Sequence, residues 1–381
     1  MPGAPSPDSG LRTKDFGPNY SVPMTGADSI TAPMARRPLK LGLLTGGGDG
    51  PGLNAVIRAV VKKGIRQLGA TFTGILDGFV GLVERRWRPV TYDDVSGILH
   101  HAGTILGTSN RGDPLAYGDR GNVMPVVLRH LRELELDGLV CLGGDGTMRI
   151  AEHLSRTWNR VVGIPKTIDN DVVGTDITFG FDTATKVAAD AVQILQATAD
   201  AHRRVMVVEV MGRTAGWIGL YAGVASGADV ILIPEIRGSI ARIADHITER
   251  HKTRRSTIVV VAEGAAPEGI ERPALHPGII GTTVADLIEK AGHEARVTIL
   301  GHLQRSAPPT PADRVLATRF GAAAVDLVAA KKFGRMAAVR GGRITTLPLA
   351  RVAGRVKRVP KDHELVLAAR ALGTSFGDDV V

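Results

Sequence analysis

The chain of 381 residues contains a single cysteine, Cys141. A disulfide framework within one chain is therefore excluded, which is typical of a cytoplasmic protein. Cys141 lies in an apolar run without neighbouring charge, so we interpret it as a buried structural residue rather than a nucleophile. Aromatic residues make up only 4% of the chain. None of them alternates with basic residues as a base-stacking platform requires, so we expect no nucleic-acid partner.

Long apolar runs are also missing. No segment approaches the roughly 20 apolar residues that span a bilayer, and the N-terminus has no apolar signal-like core. We therefore expect no membrane association and a cytoplasmic location. The hydrophobic fraction of 44% and the charged fraction of 22% are typical of a soluble globular protein.

The positive charge is unevenly distributed. The net charge is +9, yet residues 331–361 carry ten Lys or Arg and no Asp or Glu, and the remainder of the chain carries −1. Such a basic stretch either binds a polyanion or forms a solvated surface with some subunit contacts. We favour the solvated surface.

The N-terminal residues 1–38 are rich in Pro, Gly, Ser and Thr and predict a disordered tail. Beyond the tail, apolar strand patterns alternate with helical patterns, which predicts α/β architecture with mainly parallel sheets. About a dozen strands are more than one sheet holds comfortably. We therefore predict two α/β domains, with the active site in the cleft between them.

Three polar turns follow apolar runs that read as buried strands. They are Thr45–Asn54, Gly143–Thr147 and Pro165–Asp171. Glycines at such turns allow backbone N–H groups to approach an anion, and a following helix adds partial positive charge. Two glycine-rich turns and one carboxylate-rich turn together indicate phosphoryl transfer with a bound cation.

The glycine-rich turns indicate the donor side. The first is neither a P-loop nor a dinucleotide fingerprint, and alone it could be a tight connection as well as a phosphate cradle. In the second, Asp145 is placed to hold Mg²⁺, directly or through water. The alternative is that Asp145 caps the next helix.

The third turn indicates the chemistry. Asp169 and Asp171 can divide the work of taking a proton from a hydroxyl and orienting it or the cation. Lys166 and Thr167 are suitable donors to a moving phosphoryl group. The alternative interpretation is a cluster of Asx turns.

Polar residues also end the later strands, where ligands of open α/β sheets bind. An acceptor that already carries a phosphate requires arginine forks. The candidates after or near these strands are Arg204, Met211, Gly212, Arg213, Glu263, Arg296, His302 and Arg305.

The chain resembles the phosphofructokinase family over roughly residues 39–349. The resemblance rests on TGGGDGPGLNAVIR, LGGDGT, PKTIDND, HRRVMVVEVMGRTAGW, VAEG, RVTILGHLQR and ADRVLATRFG, in family order. It implies two Rossmann-like domains and phosphoryl transfer to fructose 6-phosphate. The implied domains are 39–180 with about 303–350 for ATP and Mg²⁺, and 181–302 with about 351–381 for the sugar phosphate.

The resemblance also implies residue roles. Asp169 is the implied base, with Asp171, Thr167 and Lys166 beside it, and Asp145 is the implied Mg²⁺ ligand. The implied donor-binding residues are Gly47, Arg111, Gly144, Asp145, Gly146 and Thr147. The implied sugar-phosphate residues are Met211, Gly212, Arg213, Glu263, His302 and Arg305. Arg204 and Arg296 match arginines that bacterial relatives supply from a neighbouring subunit, which implies a homotetramer or homodimer with shared sites.

The phosphoryl donor is left open between ATP and pyrophosphate. Gly146 favours ATP, because family members that use pyrophosphate usually have Asp at this position. Lys166 is found in pyrophosphate enzymes but also in some ATP enzymes. A carboxylate at position 146 would repel the α-phosphate of ATP, whereas Lys166 serves either donor, so we predict ATP.

Two further questions stay open at this point. Ser306–Thr310 replaces a glycine-containing family segment beside Arg305, which leaves another ketose phosphate as an alternative acceptor. Kinases of NAD or lipids share LGGDGT, and a non-catalytic sugar-phosphate-binding regulator would share the fold. The TIDND and MGR segments argue against a kinase of NAD or lipids, and the retained Asp145, Asp169 and Asp171 argue against a non-catalytic regulator.

Arg58 and Lys62 match effector-site basic residues of bacterial relatives, but a solvated role fits equally.

Overall fold

A computed structural model describes residues 37–254, 256–270 and 278–378. The tail predicted for residues 1–38 lies almost entirely outside the described residues. From Pro38 onward the described residues form one compact unit. The strands found in them are β1 (Lys40–Thr45), β2 (Thr71–Ile75), β3 (Trp87–Val90), β4 (Gly138–Gly143), β5 (Val161–Pro165), β6 (Val205–Val210), β7 (Val230–Leu232), β8 (Thr257–Ala262), β9 (Ala295–Ile299), β10 (Arg335–Arg340) and β11 (Arg343–Pro348).

Helices alternate with most of these strands. They are α1 (Leu53–Leu68), α2 (Phe79–Glu84), α3 (Met124–Glu133), α4 (Asp145–Thr157), α5 (Phe181–His202), α6 (Trp217–Ala225), α7 (Ile240–His251), α8 (Ile279–Lys290), α9 (Leu303–Ser306), α10 (Pro311–Ala329) and α11 (Glu364–Ala371). Within the described ranges, no helix combines the length and the apolar character that crossing a membrane would require.

The strands form two sheets. The first has seven strands in the order β11-β10-β5-β4-β1-β2-β3, and the second has four in the order β7-β8-β6-β9. Only the edge strands β3 and β11 pair antiparallel with their neighbours; the other pairs are parallel. The predicted α/β class with mainly parallel sheets is confirmed. The predicted residue ranges of the two domains remain a prediction.

Burial explains why the central strands are apolar along their whole length. Every residue of β4 and of β8 is buried, as expected for parallel strands covered on both faces by helices. On the first sheet, α1 packs against α10, and Val56 and Phe320 belong to the same buried cluster. A separate cluster around β6 and β8 includes Phe181 at the start of α5. Each sheet therefore has its own apolar core.

Most predicted elements agree with the structure within a few residues. The helical spacing from Asn54 to Gly69 is α1 (Leu53–Leu68). The helix predicted at Met148–Thr157 instead begins at Asp145, so this carboxylate belongs to the first turn of α4 rather than to the preceding turn. The hairpin of β10 and β11 is not among the predicted elements. The edge strand β11 alternates Arg, Ile, Thr and Leu without a continuous apolar run, whereas the short apolar run of β10 lies in a basic stretch.

The parallel topology brings the polar turns together. Strands β1, β4 and β5 are neighbours, so their carboxyl ends lie side by side at one edge of the first sheet. Strands β6, β8 and β9 are likewise neighbours in the second sheet. Ligands of such sheets bind beyond the carboxyl ends of the strands.

Candidate active site

A cavity of about 720 Å³ lies where turns from the two sheets meet. This volume is within the usual range for a small-molecule site, about 300–1,000 Å³. Thirteen predicted site residues line it: Gly47, Gly144, Asp145, Gly146, Thr147, Lys166, Thr167, Asp169, Met211, Arg213, Glu263, His302 and Arg305. Residues that are far apart in sequence are thus brought together at one cavity, and their roles remain a prediction.

The two glycine-rich turns pack against one side chain, Thr147. A β-carbon on Gly46 would lie 2.7 Å from Thr147 Oγ1, and one on Gly143 would lie 2.1 Å from it. The Gly46 N–H also donates to Leu142 O at 2.8 Å, which ties the turn after β1 to the end of β4. Glycine is therefore required at both turns by close approach.

Asp145 and Gly146 begin α4 at the cavity wall. The N–H groups of a first helical turn are free to bind an anion. Apart from the chain neighbours of Gly146 and the backbone of its own helix, no heavy atom of the described residues lies within 4 Å of a β-carbon placed there, so this position faces open space. Asp145 Oδ1 accepts a hydrogen bond from Arg213 Nη1 at 3.3 Å, which joins the two sheets across the cavity.

The turn after β5 is deeply buried. Lys166 is 2% exposed, and Asp169 and Asp171 are each 3% exposed. Thr167 Oγ1 accepts a hydrogen bond from the Asp169 N–H at 3.0 Å, which fixes the turn locally. Asn170 has a left-handed backbone with φ of 52°. This conformation separates the two aspartates that flank it.

One oxygen of each buried aspartate lacks a hydrogen-bond partner within the described part of the chain. These atoms are Asp169 Oδ1 and Asp171 Oδ1. A buried polar atom without a partner costs free energy, about 1–3 kcal/mol by mutational measurements. Such a cost is typical of a site that completes its hydrogen bonds with a ligand.

Burial also shifts the pKa values of the ionisable side chains in this turn. It raises the pKa of Asp169, an effect that the nearby guanidinium groups of Arg305 and Arg213 oppose. Burial, followed by the charges of Asp169 and Asp145, raises the pKa of Asp171 to about 7. Burial and then repulsion from Arg305 lower the pKa of Lys166 to about 8. Opposite shifts within one cleft are typical of catalytic sites.

On the second sheet, Glu263 at the end of β8 holds the turn after β6. Its Oε1 accepts hydrogen bonds from the N–H of Gly212 at 3.1 Å and of Arg213 at 2.6 Å. Both donors have positive φ, 139° for Gly212 and 51° for Arg213. The carboxylate therefore stabilises a strained turn and aims Arg213 at the cavity.

Two cations contact the backbone of the first turn. Arg305 Nη1 donates to Asp49 O at 2.7 Å, and Lys166 Nζ donates to Gly48 O. A β-carbon on Gly48 would lie 2.8 Å from Arg305 Nη1, so glycine allows the arginine to approach. The loop carrying Arg305 is thereby linked to the turn after β1.

Five predicted residues do not line the cavity. Asp171 is buried without lining the cavity, and Gly212 contributes its backbone to the turn held by Glu263. Arg111 lines a separate surface depression with Tyr117. Arg204 and Arg296 both pair with Glu294, at 3.0 and 3.1 Å. Within one chain, these two arginines are therefore not brought to the cavity.

Sequence reasoning missed other cavity residues. They are Gly48, Phe79, Ser109, Asn110, Gly112, Asp113, Arg149 and Ile150. Arg149 forms an ion pair with Asp113. It lies four residues after Asp145 and therefore on the same helix face, so helical spacing could have identified it.

The site fits a cation that arrives with phosphate better than a resident ion. Among the described residues, no group of three or more His, Cys, Asp or Glu could hold a metal. Mg²⁺, however, keeps several waters and usually takes one or two carboxylates together with substrate phosphates. Asp145 and the unpartnered oxygens of Asp169 and Asp171 supply carboxylates of this kind.

Fold and site together define an α/β phosphotransferase. The chain belongs to the phosphofructokinase family, since the family model described as phosphofructokinase matches residues 40–328. The resemblance seen in the sequence is thereby confirmed.

Similar proteins include users of both phosphoryl donors. An ATP-dependent 6-phosphofructokinase of Chloroflexus aurantiacus is 49% identical over 357 residues, covering 91% of this chain and 100% of that protein. A pyrophosphate–fructose 6-phosphate 1-phosphotransferase of Amycolatopsis methanolica is 47% identical, covering 85% of this chain and 97% of that protein. The solved T-state phosphofructokinase of Pichia pastoris is 32% identical with a TM-score of 0.74, and the match covers 85% of this chain and 36% of that chain.

Proposed function

We propose that the protein is an ATP-dependent 6-phosphofructokinase of glycolysis. The observation that carries the proposal is the buried Asp169, whose Oδ1 has no hydrogen-bond partner among the described residues, in a cavity lined from both sheets. The primary hydroxyl oxygen of fructose 6-phosphate attacks the γ-phosphorus of ATP. The bond from that phosphorus to the β–γ bridging oxygen breaks, the hydroxyl proton moves to Asp169, and ADP and fructose 1,6-bisphosphate leave.

The remaining catalytic residues position the reacting groups and neutralise the charge of the transferred phosphoryl group. Asp171 and Thr167 orient the base and the hydroxyl, and Lys166 donates to the transferred phosphoryl group. Gly47, Gly144, Gly146 and Thr147 contact the donor phosphates, to which Arg111 adds a charge. Met211, Gly212, Arg213, Glu263, His302 and Arg305 hold the sugar phosphate. Residues 39–180 with about 303–350 form the proposed donor domain, and residues 181–302 with about 351–381 form the proposed sugar-phosphate domain.

Asp145 is the proposed Mg²⁺ ligand. When bound, the cation neutralises negative charge on the donor phosphates. Asp145 is paired with Arg213 here. Because a guanidinium binds carboxylate and phosphate oxygens with the same fork geometry, Arg213 is able to exchange Asp145 for the phosphate of the acceptor.

The donor assignment depends on the open space at Gly146. Asp fits there sterically, so its effect on ATP is one of charge. The test compares Gly146→Asp with Gly146→Asn, which has nearly the same size without the charge. Steady-state kinetics with fructose 6-phosphate and Mg²⁺ should show kcat/KM for ATP falling by about tenfold or more in the Asp variant only, since like charges repel.

Pyrophosphate is the second candidate donor, favoured by Lys166 and by the relative from Amycolatopsis methanolica. The wild-type protein is assayed with ATP and with pyrophosphate under the same conditions. A higher kcat/KM for pyrophosphate would replace the proposed donor. Activity with neither donor would support a non-catalytic regulator instead.

The acceptor assignment depends on the loop after Arg305. In place of glycines it contains Ala307, Pro308 and Pro309, and Thr310 then caps α10 by accepting from the Asp313 N–H. A stiffer loop could direct Arg305 outward, which favours a longer sugar such as sedoheptulose 7-phosphate. Competition of the two sugar phosphates at equal concentration decides the acceptor. A preference of more than about tenfold for the longer sugar, roughly 1.4 kcal/mol, would contradict the proposal.

We further propose a homotetramer or homodimer with shared sugar sites. The support is that Arg204 and Arg296 lie away from the cavity of their own chain. The test mixes subunits carrying Asp169→Asn with subunits carrying Arg296→Ala, after reversible dissociation. If sites are shared, a mixed pair contains one intact site and regains activity, whereas either variant alone stays impaired. No regain of activity in mixed oligomers would contradict shared sites.

The cytoplasm is the proposed location. Its reducing environment suits a chain whose single cysteine is buried. Nucleic acid and membranes are not among the proposed partners.

A further inference from the structure

Residues Val356–Val359 cross the back of the turn after β5. They lie beyond residues 40–328 that match the family model, inside the basic stretch 331–361. Val356 pairs with Val172 in an antiparallel bridge. The N–H of Lys357 then donates to Asp171 O at 2.7 Å. The segment is therefore bound to the backbone of the turn that carries both aspartates.

The side chain of Lys357 is directed into this turn. Its Nζ donates to Asn170 Oδ1 at 2.9 Å, Thr175 O at 3.0 Å and Asp176 O at 2.9 Å. Three acceptors match the three N–H donors of an ammonium group. The same Nζ lies 5.2 Å from the centre of the Trp217 ring, within cation–π distance.

The acceptor Asn170 has the unusual backbone that separates Asp169 from Asp171. Its φ is 52°, a region that a non-glycine residue adopts only with support. Its Oδ1 also accepts the N–H of Thr178 at 3.1 Å. Lys357 and Thr178 therefore hold Asn170 from two sides.

The same segment also holds the turn that follows β6. Lys357 O accepts from Trp217 Nε1 at 2.9 Å, and Arg358 Nη1 donates to Thr214 O at 2.8 Å. Thr214 directly follows Arg213. One short segment is thus hydrogen-bonded to the turn of the base and to the turn of a proposed sugar-phosphate ligand.

We infer that Lys357 is a positioning residue for phosphoryl transfer, acting through Asn170 to aim the carboxylates of Asp169 and Asp171. This inference rests on the proposed function. It differs from a purely structural role in one respect: loss of the ammonium should lower kcat in molecules that are fully folded and bind both substrates normally.

The test variant is Lys357→Cys. We expect kcat to fall by about 10²-fold, the loss that a displacement of about 1 Å can cause. KM for each substrate should change by less than about threefold, because the groups that contact the substrates remain. Lys361→Cys is the matched control, since Lys361 is exposed four residues further along the chain and should leave kcat within about twofold.

The same variant permits chemical rescue. Alkylation of its thiol by 2-bromoethylamine restores an ammonium side chain with sulfur in place of the γ-methylene. The native Cys141 is buried, and burial raises the pKa of its thiol, so it should not react. We expect alkylation to restore most of the lost kcat at position 357 and to change nothing at position 361.

A double-mutant cycle with Asn170→Gly tests whether Lys357 acts through Asn170. Glycine keeps the left-handed backbone accessible but removes the acceptor of Lys357. Asn170→Gly with Lys357→Cys should be no worse than the more impaired single variant, because both remove one interaction. Thermal unfolding of each variant confirms that it is folded at the assay temperature.

Several results would overturn the inference. These are an unchanged kcat, a loss that follows only the unfolded fraction, no rescue on alkylation, and additive losses in the cycle. Failure of the proposed function is a separate result, since the wild-type protein would then transfer no phosphoryl group to fructose 6-phosphate.

Discussion

Two buried carboxylates at the cavity, one from each sheet, differ in their hydrogen-bond partners. Asp169 follows β5 in the first sheet and is 3% exposed, and Glu263 follows β8 in the second sheet and is 6% exposed. Asp169 Oδ1 has no partner in the described residues. Glu263 Oε1 accepts from two backbone N–H groups. Similar burial therefore accompanies a carboxylate oxygen without a partner in Asp169 and a carboxylate oxygen with two donors in Glu263.

The comparison teaches that hydrogen-bond partners distinguish the proposed base from Glu263, whereas burial does not. Burial is the largest cause that raises the pKa of both groups. For Glu263, the largest contribution that lowers the pKa is the hydrogen bond from the backbone N–H of Arg213. For Asp169, the largest contribution that lowers the pKa is the positive charge of Arg305, whose side chain lies at the cavity wall. The charge of Asp169 is thus controlled by groups that a ligand can engage.

The strongest test of this comparison is Asp169→Asn. We expect turnover to fall by about 10²–10⁴-fold, the usual contribution of a positioned base, with sugar-phosphate binding largely retained. Steady-state kinetics and calorimetric binding of fructose 6-phosphate measure the two quantities. Asp190→Asn, on the exposed face of α5, is the control. Turnover close to that of the wild type would remove Asp169 from the mechanism.

A third buried carboxylate, Asp313, extends the comparison, because it accepts hydrogen bonds away from the cavity. Asp313 Oδ1 accepts from the Gly180 N–H at 2.8 Å, and Oδ2 accepts from the Thr183 N–H at 2.8 Å and from its hydroxyl at 2.6 Å. Asp313→Asn places an amide NH₂ against these donors. We expect the free energy of unfolding to fall by about 1–3 kcal/mol, with kcat per folded molecule unchanged.

Urea titration of Asp313→Asn and of the exposed control Asp326→Asn on the same helix measures this loss. A large loss of kcat in fully folded Asp313→Asn protein would mean that a well-partnered carboxylate also takes part in the reaction. The distinction drawn between Asp169 and Glu263 would then fail.

Glu263→Gln should have a smaller effect. The amide oxygen still accepts from the Gly212 and Arg213 N–H groups, so the turn is kept, but the charge is lost. We expect KM for fructose 6-phosphate to rise by about tenfold, roughly 1.4 kcal/mol, with kcat within about threefold. A loss of kcat as large as that of Asp169→Asn would show that the two carboxylates are equivalent after all.

The pH dependence of stability tests the charge of Asp313 itself. Burial raises the pKa of Asp313 to about 6, whereas an unfolded aspartate titrates near pH 3.9. Between these values the folded protein binds more protons, so this group lowers stability as pH rises from about 4 to about 6. The difference in unfolding free energy between wild type and Asp313→Asn should therefore widen on acidification from pH 6 to pH 4. A constant difference would contradict the shift.

Local patterns were enough to predict the three turns and most of the cavity lining. Gly47, Asp145 and Asp169 each follow a strand, and neighbouring parallel strands bring their ends together. The partners of these residues could not be predicted in the same way. Lys357 and Asn170 are 187 positions apart, and nothing near Lys357 in a basic stretch indicates that its ammonium meets a catalytic turn. The packing of distant segments, rather than local pattern, determines such contacts.

The packing of Thr147 against Gly46 and Gly143 has a consequence for how this site can vary. A larger residue at either glycine collides with the threonine, and the threonine in turn fills the gap that both glycines leave. These positions therefore constrain one another and change most readily as a set. A library that seeks new donors should diversify them jointly, while Gly146, three residues after Gly143 and facing open space, can be varied alone.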